Sequence, residues 1–227
     1  MSHRNLFLAR LSAAQLSALD GDLRPTRLVT GEVLHEAGEK VQSVYFPNNG
    51  VVSVVTVMKD GRAVESATLG FESVVGVVSA LTGAASHARV FVQIAGGALK
   101  MDAARLRAFV DNDPKVLRSL LLHVQNDIAQ AEQTSACNAL HLSKHRLARW
   151  LLLTDDRVDG AVVNLTQDYL AVMLGVQRTT VSTLASELKA EGLIDYQRGR
   201  IEIVDRARLE MLSCECYEVG RMRHADI

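Results

Sequence analysis

Apolar residues change their spacing several times along this chain. Over 5–20 they fall at Leu6, Leu8, Leu11, Leu16 and Leu19 among polar residues, which predicts a helix. Residues 28–101 switch to alternation in Val41–Phe46, Val51–Met58, Ala63–Leu69 and Ala88–Ile94, punctuated by Gly31, Gly38, Asn48-Asn49-Gly50, Asp60-Gly61, Gly70 and Gly96-Gly97. Short, evenly spaced strands bounded by turn residues predict a β-sandwich or barrel of jelly-roll type, and Asp60-Gly61 predicts a tight hairpin. Helical spacing returns near 102 and lengthens after Pro114, where Leu117, Leu121, Val124, Ile128, Ala131 and Ser135 recur at alternating steps of 4 and 3. That is a heptad seam. A helix lying along its own domain gives the same signal, but the length and narrowness of the seam favour a parallel helix pair between two protomers. Leu140–Ser143 reads as a hinge, with Ser143 capping a new helix that carries Leu147, Trp150, Leu151 and Leu153. A last helix is expected over 206–219.

The run 167–184 carries the most specific pattern. Leu170, Leu174, Val176, Val181 and Leu184 fall where two short crossing helices would bury a shared face. Ala171 is small where they approach closely, and Gly175 tolerates the positive φ of a tight turn. Thr166 can cap the first helix, and Asp168 suits its positive end. Glycine at 192 stops the second helix, and Ile194-Asp195-Tyr196 and Arg200–Val204 then form strand-like runs around Gln197-Arg198-Gly199. An ordinary helical hairpin shares part of this pattern. Helix, turn, helix and β-wing in this order point to a winged helix-turn-helix, whose second helix can enter the major groove of DNA.

Composition changes the picture little: of 227 residues, 48% are hydrophobic and 22% charged, ordinary for a globular protein. The net charge of −1 argues against a nonspecific polycationic binder, so any DNA contact must come from a local face. Met1–Asn5 lacks the layout of a signal peptide, and no apolar run reaches membrane-spanning length. Cys137, Cys214 and Cys216 form no disulfide framework, which points to a reducing compartment, and a cytoplasmic protein is expected. Cys214-Glu215-Cys216 would suit a metal or redox role only with a second pair; two small residues on a terminal helix is the plainer reading, with Cys137 packed at the end of the long helix. His141 and His145 share a helical face, but two ligands make no site, and no metal site is expected.

The chain resembles the Crp/Fnr superfamily of bacterial transcription regulators. Leu165–Ala171 and Gly175–Ser182 match that family's helix-turn-helix closely. Gly31-Glu32-Val33-Leu34 with Gly38-Glu39 resembles its early roll strands, Asn112-Asp113-Pro114 the lead into its dimerisation helix, and Arg146-Leu147-Ala148 its first DNA-domain helix. The resemblance implies an α+β chain: an N-terminal β-roll or jelly roll (a double-stranded β-helix) with a cyclic-nucleotide-binding-like sensor fold over 1–111, a dimerisation helix and hinge over 112–140, and a Crp-type winged helix-turn-helix over 141–227. It also implies a homodimer on a two-fold symmetric double-stranded DNA site, contact with RNA polymerase, and an effector sensed in the roll. A dimer can place two recognition helices in major grooves one turn apart, about 34 Å.

Helical spacing turns Val181, Leu184, Ala185 and Leu188 inward and Arg178, Thr179, Ser182, Thr183 and Ser186 outward. Arg178 can pair with guanine O6 and N7. Gln177 and Thr180 suit phosphates, and Arg198 and Arg200 in the wing either hold the backbone or are solvated surface arginines. The family's base-reading positions are often Arg, Glu and Arg; here they fall on Arg178, Thr179 and Thr183, which implies a different operator. Cyclic-AMP sensors of the family use a Gly-Glu-Leu turn and an Arg-Ser pair, whereas this chain has Gly76-Val77-Val78 and Ser86-His87-Ala88-Arg89. Val77 stands where the ribose-binding glutamate would be, and the adenine-facing pair falls on Ala131 and Glu132. Cyclic AMP is therefore not expected. Glu72, Val77, His87, Arg89 and Glu132 remain the pocket candidates, for an unidentified small molecule or none. An N-terminal iron–sulphur cluster is not expected, because no cysteine precedes Cys137; haem is not expected with only His35 and His87 in the roll. No cofactor is identified. An enzyme is the least supported class, since no nucleophile elbow, P-loop, zinc-protease motif or dinucleotide fingerprint occurs. A ligand-binding or interaction module whose helix-turn-helix no longer binds DNA is the other alternative.

Overall fold

The computed structural model describes residues 4–19, 21–158, 162–197 and 199–226. The N-terminal helical pattern resolves into two helices, α1 (Leu6–Arg10) and α2 (Ala13–Ala18). The break falls at Ser12, whose extended backbone and capping box with Gln15 start a new helix. Asn5 caps α1 and also donates from its buried side chain to the carbonyls of Pro47 (3.2 Å) and Ser73 (3.0 Å), which fixes this helix on the roll.

The roll is two facing sheets. One has the order β1 (Arg24–Leu28), β7 (Gly96–Asp102), β3 (Ser43–Pro47); the other β2 (Val33–His35), β6 (Arg89–Ile94), β4 (Val51–Val57), β5 (Ala63–Leu69). All these pairings are antiparallel. Leu28, Tyr45, Val52, Ala67, Leu69, Val75, Val90, Val92 and Ala98 fill the space between them. Three features depart from expectation. Gly96-Gly97 opens β7 instead of making a turn, because Asn49 abuts it and accepts from Gly97 N at 2.6 Å. The Asp60-Gly61 hairpin exists, but the connection runs over 58–62, closed by Met58 N to Arg62 O at 2.7 Å. A short helix, α3 (Val77–Thr82), interrupts the strand-rich region.

Helix α4 (Ala103–Asn112) leads into α5 (Pro114–Leu140), a 27-residue helix capped by Asp113 with proline in its first turn. Val116, Leu120 and His123 face the roll, joining Phe7, Leu8, Leu106 and Phe109. His123 Nδ1 lies 2.7 Å from the Glu72 carbonyl, and burial pushes its pKa down. Of the seam residues, Val124 also packs against this cluster, while Leu117, Leu121 and Ile128 are exposed on the neighbouring face of α5. Helix α6 (Ser143–Asp155) starts one residue earlier than expected: Leu142 is its N-cap, and Ser143 lies inside it, accepting from Arg146 at 3.0 Å. All of Arg146–Thr154 is buried, so α6 is the central post of the C-terminal module.

That module adds α7 (Gln167–Leu174), α8 (Arg178–Ala190) and a wing sheet of order β8 (Val162–Asn164), β10 (Arg200–Ile203), β9 (Ile194–Gln197). The expected terminal helix is two: α9 (Arg206–Leu212) and α10 (Cys216–Asp226), with Ser213–Glu215 between. No helix among the described residues is long and apolar enough to cross a membrane.

Candidate nucleic-acid interface

The turn between α7 and α8 forms as its residues dictate. Thr166 accepts from Tyr169 N, and Gly175 closes α7 in the left-handed region at φ 61°, where a side chain would be strained. Leu170, Leu174, Val181, Ala185 and Leu188 are buried, while Val176 and Leu184 are half-buried at the rim of the same cluster. This packing turns the other face of α8 outward.

Gln177, Arg178, Thr179 and Thr183 are exposed there, and Thr180 and Ser182 are half-buried. Arg178 makes a long contact to Asp168 at 3.7 Å, with both side chains about two-thirds exposed (65% and 69%). Such a pair contributes about 0–1 kcal/mol and yields readily to a nucleic-acid acceptor. Gln167, outside the expected set of DNA contacts, organises this end: its Oε1 accepts from Ser182 Oγ at 2.7 Å and Arg178 Nε at 3.4 Å. Its one legible signal was a position eleven residues before Arg178, at the start of α7. The Thr183 hydroxyl donates to the Thr179 carbonyl at 3.2 Å. Further along α8, Lys189 pairs with Asp195 of the wing at 2.7 Å, holding the β-ribbon beside the helix and Asp195 below the usual carboxylate range. Arg200 is exposed on β10; Arg198 lies outside the described residues.

The far side of the module docks on the roll. Arg157 is fully buried and donates to Glu72 Oε1 from Nε (2.9 Å) and Nη2 (2.7 Å), while its carbonyl accepts from Gly50 N at 3.0 Å. Gly70 is required here, since a Cβ would lie 2.6 Å from Arg157 Cδ. Trp150 Nε1 donates to Glu65 at 3.2 Å, and Glu65 also accepts from Thr68 (2.9 Å) and Ser53 (2.5 Å). Burial drives the Glu65 carboxyl up to about 7 against those hydrogen bonds. The Tyr169 ring meets Phe91 at 6.0 Å.

The residues expected to line an effector pocket fall in different surroundings. Glu72 is buried against Arg157. Val77, in the first turn of α3, is buried in the same apolar cluster as Phe46 and Leu106. His87 and Arg89 are exposed, Arg89 pairing with Glu36 at 3.4 Å, and Glu132 is exposed on α5. Of the seam residues, Leu117, Leu121 and Ile128 are exposed along one side of α5, Ala131 is half-buried, and Val124 is half-buried against the roll-side core.

A sensor-type β-roll joined by a long helix to a winged helix-turn-helix defines a class of two-module regulators. Residues 25–113 match the cyclic nucleotide-binding domain and residues 145–212 the Crp-like helix-turn-helix domain. The chain belongs to the Crp/Fnr superfamily. It is 31% identical over 116 residues to the transcriptional regulator SdrP of Thermus thermophilus, covering 48% of this chain and 57% of that one. It is 26% identical over 190 residues to the global nitrogen regulator of Synechococcus elongatus, covering 79% and 85%. The structure of FixK2 from Bradyrhizobium japonicum superimposes with a TM-score of 0.71 at 21% identity, over 85% of this chain and 98% of that one.

Proposed function

We propose that this chain is a homodimeric, sequence-specific DNA-binding transcription regulator, governed by an effector or state other than cyclic AMP. The observation that carries the reading is α8: its apolar face is buried on α7, and Arg178, Thr179 and Thr183 stand outward beside the wing. Arg178 reads guanine, the two threonines contact neighbouring bases, and Gln177, Thr180, Ser182 and the wing arginines hold the backbone. The relatives named as regulators support the same role, and the family implies RNA polymerase as a partner.

Dimerisation is supported by the exposed stripe of Leu117, Leu121 and Ile128, on the face of α5 next to the buried Val116 and Leu120. A two-fold pairing along it would cover the apolar side chains and present two copies of α8. The exclusion of cyclic AMP rests on Val77, on the separation of His87 and Arg89 from Glu72, and on the apolar filling of the roll. A cyclic phosphate there would be desolvated without a cation.

The test is selection of bound fragments from random and genomic DNA by the full chain, alone and with low-molecular-weight cell extract. Recovery of one two-fold symmetric sequence is expected. Recovery of no sequence under either condition overturns the reading.

A further inference from the structure

The hinge between the long helix and the C-terminal module gathers four metal-ligating side chains that are far apart in sequence. Cys137 lies in the last turn of α5 and His141 is its C-cap; Cys214 precedes α10 and Cys216 opens it. The Cys137 and Cys214 sulfurs are 3.5 Å apart, and Cys216 Sγ is 3.5 Å from His141 Nδ1. All four ligand atoms lie within 4.8 Å of one another. Tetrahedral zinc, with bonds of about 2.3 Å to sulfur and 2.0–2.1 Å to nitrogen, places its ligands about 3.8 Å (S···S) and about 3.5 Å (S···N) apart. The cluster therefore stands within small side-chain rotations of a tetrahedral shell.

The surroundings suit a metal better than a disulfide. A Cys137–Cys214 bond would leave Cys216 and the imidazole unexplained. His141 Nε2 lies 3.1 Å from Glu215 Oε1; with the proton on Nε2, its Nδ1 lone pair faces the sulfurs. That carboxylate–imidazole arrangement is the one by which zinc-bound histidines are oriented. Gln133 Nε2 donates to Cys216 Sγ at 3.1 Å, as thiolate ligands require. Three thiolates and a divalent ion leave one negative charge, and the buried Arg149 lies close enough to Cys137 to offset it. The three cysteines are buried and all four positions come from protein, which marks a structural site with no open coordination position.

We propose that Cys137, His141, Cys214 and Cys216 bind one zinc ion per chain. The ion would clamp the end of α5 to the link between α9 and α10, fixing the angle at which the winged module leaves the long helix.

The experiment is metal analysis of the full chain purified under reducing conditions, followed by cobalt replacement. One zinc per chain that survives dialysis is expected, and cobalt should give the intense visible bands of a tetrahedral, thiolate-rich site. Glu215 is largely exposed (73%), so E215Q should fold and weaken zinc about 10–100-fold in a chelator competition; H141Q should weaken it further. Should H141Q fail to fold, the cobalt spectrum of the unaltered chain still decides. The proposal is overturned if the reduced chain takes up neither zinc nor cobalt, if the cobalt spectrum is octahedral, or if a Cys137–Cys214 disulfide forms and its reduction yields no metal binding. Metal content does not depend on DNA binding, so it stands or falls apart from the regulator reading.

Discussion

Arg178 is the residue on which sequence reading by the protein is expected to turn, because its guanidinium is exposed and holds long contacts to Asp168 and Gln167 that it can surrender. R178A should reduce affinity for the selected site by roughly 10–100-fold, the equivalent of the ~1–3 kcal/mol a bidentate guanine contact supplies. Nonspecific affinity should be little changed; fluorescence anisotropy on the selected and scrambled duplexes measures both. Glu65 makes a different prediction. Its folded-state value near 7, against an ordinary 4.5, means the folded protein holds a proton there that the unfolded chain releases. Its contribution to stability is therefore full below about 4.5 and falls as pH rises towards about 7 and beyond. Relative to E65Q, the unaltered protein should lose on the order of 3 kcal/mol between acid and mildly alkaline pH, read by urea unfolding at each pH. Parallel stability–pH curves for the two proteins would contradict the protonated state. The partners of these two residues were unequally legible. Thr166, Gly175 and Arg178 sit within one local motif, whereas Glu65 gains its meaning from Trp150, 85 positions away.

At the scale of elements, α5 has two faces. Val116, Leu120 and His123 serve the roll, and the exposed seam is left over. L121E and I128E, both at positions 54% exposed, should leave the fold intact and yield monomers by light scattering. Dimers of unchanged mass would place the interface elsewhere. Heptad spacing revealed this stripe because a helix repeats locally, and alternation revealed β3 to β6 for the same reason. Elements whose pattern was broken were not found. Strand β7 begins with two glycines, α3 is a short insertion among strands, and the final helix is split at Ser213–Glu215. That split is also what hid the cysteine cluster: Cys214 and Cys216 lacked a second pair in sequence, and the fold supplies Cys137 and His141.

The whole molecule is held in its present arrangement by Glu72–Arg157, Glu65–Trp150 and the tilted ring pair of Phe91 and Tyr169. None of these contacts is local, and the Glu72 pairing was not legible in sequence because its partner lies in the other module. Gly70→Ala would press a methyl group into the buried Arg157 side chain, at a cost of about 1–3 kcal/mol. The single tryptophan, Trp150, lies in this junction, so its fluorescence should shift in the variant alongside a lower Tm; an unchanged spectrum and Tm would show that the junction tolerates the methyl group. The central claim joins all three scales: two copies of α8, set by the α5 seam, read one symmetric site. Hydroxyl-radical footprinting of the full chain on its selected DNA tests this most directly. The predicted result is two equivalent protected half-sites about one helical turn apart, with two chains bound per duplex. A single protected half-site occupied by one chain, or uniform protection without symmetry, would contradict it.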